Sequence, residues 1–327
     1  MKISVIGAGS FGTSLGILLK NKGYDVIIYA RKEAQAAMIN ATRGNHKYLP
    51  GVILPDGLNA TSDLREAVSG ADLLVMAVPA QSFRSVMEEI STIRKDIKAV
   101  NVAKGIEIST LKRMSEVAQE FIPDMSYACL SGPSHAEEVA RNLPTAVCVS
   151  SKDPEFAKEI QQIFMDDCFR VYTNDDLIGV ELGGSVKNVI ALACGISDGL
   201  GLGDNTKAAL ITRGIAEMAR LGIAMGGKPD TFAGLSGIGD LVVTCTSMHS
   251  RNRRFGILVG EGMPLDQALD KVGMVVEGYY TQEAVDALAS KYNVEMPITQ
   301  TMHRLLAGEF TADECVAILM GRKEKHE

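Results

Sequence analysis

A short apolar run, Lys2 to Ile6, enters Gly7-Ala8-Gly9-Ser10-Phe11-Gly12, after which Leu15, Leu18 and Leu19 recur at helical spacing. Strand, glycine turn and helix in that order leave few folds open. The first glycine makes a tight turn, the second lets backbone approach a pyrophosphate, and the third lets the helix pack closely on the strand. A second apolar run, Asp25 to Tyr29, follows the helix and completes the opening of a dinucleotide-binding unit. Runs from Asp72 to Val78, Lys98 to Val102, Tyr127 to Leu130, Thr145 to Val149 and Phe169 to Tyr172 extend the sheet. Asn174-Asp175-Asp176 then marks a boundary, beyond which helical patterns dominate.

The spacing therefore predicts an α/β chain: an N-terminal Rossmann-type doubly wound sheet over 1–179 and an all-helical C-terminal domain over 180–327. At 327 residues, two cores are expected rather than one. The net charge of −7 argues against a nucleic-acid partner, although an acidic chain can still gather cations locally around an acidic substrate. Six cysteines without a C-x-x-C pair read as small buried hydrophobes in a reducing compartment, with no metal site. The opening run is too short for a signal peptide, and no later stretch is read as 18 apolar residues long, so no membrane segment and a cytoplasmic location are expected. From Arg322 onwards the composition suggests a solvated tail.

Several polar residues fall where ligands would lie. In an open α/β sheet the crevice sits outside the carboxyl ends of the strands, which places Lys104 there as a holder of an anionic or carbonyl oxygen; a solvated lysine is the alternative. Arg31 and Lys32 stand after the second strand, where an acid would favour NAD, and two cations suit the 2′-phosphate of NADP. Ser134, three residues before Glu137, has the spacing of a capping box, and the helix start behind it offers N–H groups to an anion.

The chemistry is expected in Glu181-Leu182-Gly183-Gly184-Ser185-Val186-Lys187-Asn188, where small residues would let a ligand approach and Lys187 would occupy the first turns of a long helix. Further on, Gly234 to Gly239 bring Asp240 close to backbone, and Ser250, Arg251 and Asn252 offer a guanidinium fork with neutral hydrogen bonds. Arg253 and Arg254 are open to reading as a solvated basic face. Val275 and Glu277 suit a contact with a cofactor sugar.

Taken together, the glycine turn, Ala103-Lys104-Gly105, Leu130 to Glu137, Glu181 to Asn188, Gly237 to Leu241 and His249 to Asn252 resemble, over nearly the full length, the NAD(P)-dependent glycerol-3-phosphate dehydrogenase family of bacteria. That resemblance implies reversible reduction of dihydroxyacetone phosphate to sn-glycerol 3-phosphate for glycerophospholipid synthesis, by a homodimer using NADP or NAD. It implies cofactor contacts from Gly7, Gly9, Ser10, Phe11, Gly12, Arg31, Lys32, Ala136, Val275 and Glu277. Substrate contacts would come from Gly132, Ser134, Asp240, Ser250 and Asn252, with Lys104 and Arg251 near both ligands and Lys187 as proton acceptor. Lys32 departs from the family pattern, where arginine is common. Two other readings are a dehydrogenase of the 6-phosphogluconate or 3-hydroxy acid type and a nonenzymatic NADP-binding redox sensor.

Overall fold

A computed structural model describes residues 1–323; the remainder of the expected tail lies outside the described residues. By its internal contacts the chain divides into two units, Met1–Lys104 with Lys112–Glu181, and Gly105–Leu111 with Leu182–Glu327.

The first unit is built on an eight-stranded sheet: β1 (Lys2–Ile6), β2 (Asp25–Tyr29), β3 (Asn59–Thr61), β4 (Leu73–Met76), β5 (Lys98–Asn101), β6 (Tyr127–Ser131), β7 (Thr145–Ser151) and β8 (Phe169–Asn174). Their order is β3-β2-β1-β4-β5-β6-β7-β8, so the strand order reverses beside β1, as in a doubly wound fold. Residues such as Val5, Ile28, Val75, Val100 and Ala128 are wholly buried because helices cover both sheet faces. Strands β1 to β6 pair in parallel, whereas β7 runs antiparallel to β6 and parallel to β8. The link from β6 to β7 carries only the four-residue helix Ala136–Val139, too little to return the chain for a parallel crossover. Helix Pro154–Phe164 restores the crossover between β7 and β8 and is capped by Asp153, whose carboxylate accepts the Glu155 N–H.

Helix Leu177–Gly199 starts ten residues before Lys187, which corrects the expectation that this lysine occupies its first turns. The early start follows from Asp176, whose carboxylate accepts the Gly179 N–H at 2.8 Å and caps the helix. This helix also corrects the expectation that nothing reaches membrane-spanning length and apolarity: by length and composition it does, yet 94% of its most apolar window is buried in the protein.

Among the described residues, Gly105–Leu111 carries no named element, while every named element of the second unit from Leu182 onwards is a helix. Close contacts fix its glycines: a Cβ at Gly195 would lie 2.2 Å from the Arg253 carbonyl, and one at Gly256 would lie 2.3 Å from that of Leu192. Helices Leu177–Gly199 and Arg251–Gly260 thus touch backbone to backbone.

In helix Gly203–Ala224, Glu217 is buried and accepts N–H bonds from Ile298 (2.7 Å) and Thr299 (3.2 Å) at the start of helix Pro297–Leu306. Burial pushes its carboxyl from 4.5 up to about 7, against the pull of those N–H groups. Between those values the unfolded chain has released the proton while the folded chain keeps it, so stability falls as pH rises through the window. Glu217→Gln should remove a loss on the order of 3 kcal/mol over that range. Urea midpoints near pH 5 and near pH 8 measure it, and an unchanged slope in the variant would rule the assignment out.

Candidate active site

In the first unit, the turn after β1 has the geometry a pyrophosphate loop needs. Gly7 has φ +123°, and a Cβ there would lie 2.5 Å from the Ala77 carbonyl. A Cβ on Gly12 would lie 2.1 Å from the Gly7 carbonyl, so a side chain there would push the helix off the strand. At Gly9 a Cβ would meet nothing within 4 Å. That open side is where backbone can meet a phosphate, and helix Ser10–Asn21 begins there with its N–H groups leading. These features fit a dinucleotide. The Ser10 hydroxyl donates to the Tyr48 carbonyl at 2.5 Å.

Arg31 and Lys32 are exposed after β2, and Lys32 is the N-terminal flanking residue of helix Glu33–Thr42. Lys104, after β5, donates to the Gly132 carbonyl at 3.0 Å and lies 5.9 Å from the Phe11 ring centroid. Gly132 (φ +147°) sits tight against Val147, where a Cβ would come within 2.9 Å of its Cα. Ala136 is buried. The expected capping box at Ser134 is absent: its hydroxyl donates to the nearer Gly132 carbonyl at 2.8 Å, and the helix begins at Ala136 with no side-chain cap.

The Glu181 carboxylate accepts from the Ser115 N–H (2.8 Å), the Ser115 hydroxyl (2.6 Å), the Tyr127 hydroxyl (2.9 Å) and Arg113 (2.6 Å). Its place at the head of the lysine stretch is thus a structural one, joining β6, helix Met114–Phe121 and the long helix. Burial, with this carboxylate beside it, holds the Tyr127 phenol well above its ordinary range.

The second unit holds Lys187. Its ammonium forms an ion pair with Asp240 and donates to the Thr244 hydroxyl at 2.7 Å, with the lysine and aspartate side chains 6% and 2% exposed. Thr244 in turn donates to the Asp240 main-chain carbonyl at 2.6 Å. Asp240 and Thr244 are one turn apart on helix Asp240–Thr246, so a single helix face presents carboxylate and hydroxyl to the lysine. Sequence reasoning missed Thr244, although its spacing from Asp240 was visible.

Gly183, ahead of Lys187, and Gly237, ahead of Asp240, each pack tightly against backbone. A Cβ on Gly183 would lie 2.6 Å from the Ser236 carbonyl, and one on Gly237 would lie 2.0 Å from that of Phe232. Asn188, at the end of the stretch where the chemistry is expected, accepts from the Asn252 amide at 2.9 Å, while Asn252 accepts the Gly278 N–H at 2.8 Å. Asn252 and Glu277, expected on different ligands, are thereby neighbours, since Gly278 follows Glu277 in helix Glu277–Lys291.

Ser250 is buried, and its hydroxyl accepts the Arg253 N–H, capping helix Arg251–Gly260. Arg251 is half-buried in that helix's first turn, and Val275 is 37% exposed. Arg253 is no solvated cation: its guanidinium grips Asp198 at 2.7 Å, and Lys207 pairs with the same carboxylate at 2.7 Å. Among the cysteines, five are buried and Cys168 is half-buried. A hydrogen bond with Cys194 and burial hold the Cys245 thiol well above its ordinary range.

Known proteins account for both units. Residues 2–157 match the family model described as NAD-dependent glycerol-3-phosphate dehydrogenase N-terminus, and residues 176–317 match its C-terminal counterpart. The chain belongs to the NAD-dependent glycerol-3-phosphate dehydrogenase family. Glycerol-3-phosphate dehydrogenase [NAD(P)+] of Moorella thermoacetica is 54% identical over 99% of this chain and 97% of its own. The same enzyme of Clostridium perfringens is 50% identical over 100% of this chain and 99% of its own. The crystal structure of glycerol-3-phosphate dehydrogenase from Coxiella burnetii superposes with a TM-score of 0.96 at 41% identity, over 98% of this chain and 99% of that one. Membership in this family sets it apart from the 6-phosphogluconate and 3-hydroxy acid enzymes and from a nonenzymatic sensor.

Proposed function

We propose that this protein catalyses the reversible NAD(P)H-dependent reduction of dihydroxyacetone phosphate to sn-glycerol 3-phosphate, in the cytoplasm, where the product feeds glycerophospholipid synthesis. The observation that carries the reading is the buried Lys187, fixed by Asp240 and Thr244, in a chain of this family. The glycine loop and Arg31 and Lys32 take the dinucleotide, with NADPH used at least as well as NADH because two cations meet the 2′-phosphate. A homodimer would scatter light as twice the chain mass.

Bound, the nicotinamide supplies the hydride. Lys187 faces the carbonyl oxygen on which negative charge grows, stabilises that charge and delivers the proton; in the oxidative direction the same amine takes it back. Asp240 and Thr244 hold the lysine Nζ in place. Arg251, with Ser250 and Asn252 beside it, grips the phosphate, and Lys104 steadies an anionic oxygen. Binding the remote dianion orients the reacting carbon, so part of its binding free energy appears as rate.

Following NADPH and NADH absorbance with dihydroxyacetone phosphate against a panel of other ketones tests the substrate assignment. Arg251→Ala should lower kcat/KM for dihydroxyacetone phosphate by about 10²-fold or more, in line with the loss of a charge-assisted fork. Residual reduction of unphosphorylated dihydroxyacetone should fall far less. Equal losses on both ketones would remove Arg251 from the phosphate.

A further inference from the structure

The carbonyl of Ala8, between the first two glycines of the loop, receives two side-chain amides: Gln35 Nε2 at 2.7 Å and Asn45 Nδ2 at 2.9 Å. Asn45 is completely buried and makes full use of its amide, donating also to the Thr13 hydroxyl at 2.8 Å and accepting from Gln35 at 3.3 Å. It belongs to a compact loop closed at its base by Arg43, whose carbonyl accepts the Leu54 N–H (2.9 Å) and whose guanidinium donates to the Leu54 carbonyl at 2.6 Å. Tyr48 in the same loop offers the carbonyl that holds the Ser10 hydroxyl. The loop therefore grips the glycine turn on both sides of Gly9.

We infer that Asn45, assisted by Gln35, is a positioning residue for the dinucleotide: it fixes the Ala8–Gly9 peptide so that the Gly9 N–H meets the pyrophosphate. In a trans peptide the C=O and N–H point in opposite directions. Drawing the Ala8 oxygen inward onto Asn45 turns the Gly9 N–H outward, and Gly9 is the loop position with nothing within 4 Å of an added Cβ. This peptide is otherwise free to rotate, because turning it changes ψ of Ala8 and φ of Gly9, and glycine tolerates both signs of φ. Unclamped, the loop would pass between orientations, and cofactor affinity would fall by the fraction of time the N–H points away.

This inference rests on the dinucleotide-binding reading above, and the test separates the two. Titrate wild type, Gln35→Met and Asn45→Asp with NADPH by nucleotide fluorescence, and with adenosine 2′-phosphate, which carries no pyrophosphate, by competition. Asn45→Asp replaces a donor to Ala8 with an acceptor and should weaken NADPH by about tenfold or more, since the lost hydrogen bond is joined by repulsion between two oxygens. Gln35→Met, at a half-buried site where folding is safe, should weaken it by about 3-fold. Both should leave adenosine 2′-phosphate within about twofold of wild type, well short of the change that one hydrogen bond brings. Unchanged NADPH affinity in Gln35→Met, or equal weakening of both nucleotides, would overturn the clamp. A wild type that binds neither NADPH nor NADH would overturn the dehydrogenase reading, and the clamp with it.

Discussion

Lys187→Met should lower turnover by about 10² to 10⁴, the contribution of one positioned acid or base. Methionine keeps the apolar stem inside the buried site and removes the charge and the proton. The ion pair with Asp240 adds a consequence that the sequence did not show: the substitution strands a carboxylate that is 2% exposed. A stranded carboxylate can take up a proton and become neutral, so the variant should fold with a lowered midpoint. Adding Asp240→Asn should return most of that stability without returning turnover. Lys187→Arg keeps the charge but holds its proton at neutral pH, so any recovery by arginine measures electrostatic stabilisation alone. Rates are read at saturating NADPH with binding of both ligands measured separately. Near-normal turnover in the methionine variant would move the proton-transfer role to Lys104.

The parts of the fold that were legible are those set by local backbone. Gly7 and Gly12 could be assigned a turn and a packing contact because the positive φ of Gly7 and the contact of Gly12 with the Gly7 carbonyl both lie within the strand, turn and helix. The seven longer strands announced themselves as apolar runs, whereas β3, three residues long and paired only with β2, carries no such run. What stayed hidden depends on partners far along the chain. Asn45 meets Ala8 across 37 positions, Asn188 meets Asn252 across 64, and Lys187 meets Thr244 across 57. Gly183 was given to a ligand because its neighbour, the Ser236 carbonyl, cannot be inferred from spacing. Ser134 failed as a cap because the helix begins at Ala136 with His135 in the cap position, one residue beyond Ser134, whose hydroxyl donates to the Gly132 carbonyl.

Asp240→Ala is expected to be strongly destabilising in the second unit, because it takes from the buried Lys187 ammonium the carboxylate paired with it. Removing one member of a buried pair costs about 3–5 kcal/mol, far more than the pair itself contributes. For a unit of this size that lowers the melting midpoint on the order of 10 °C. Thr244 cannot compensate, since a hydroxyl offers a dipole where a full negative charge has gone. Turnover should fall as well, because Lys187 loses the contact that fixes its Nζ against the reacting oxygen. The two effects come apart in a double-mutant cycle. Lys187→Met with Asp240→Ala together should be more stable than the sum of the single losses, with a coupling of about 2–3 kcal/mol between neighbours that share one ion pair. Denaturant midpoints of the four proteins give that coupling directly. A value near zero would mean that water reaches the ammonium once Asp240 is gone, and that Lys187 is placed by the long helix rather than by its carboxylate.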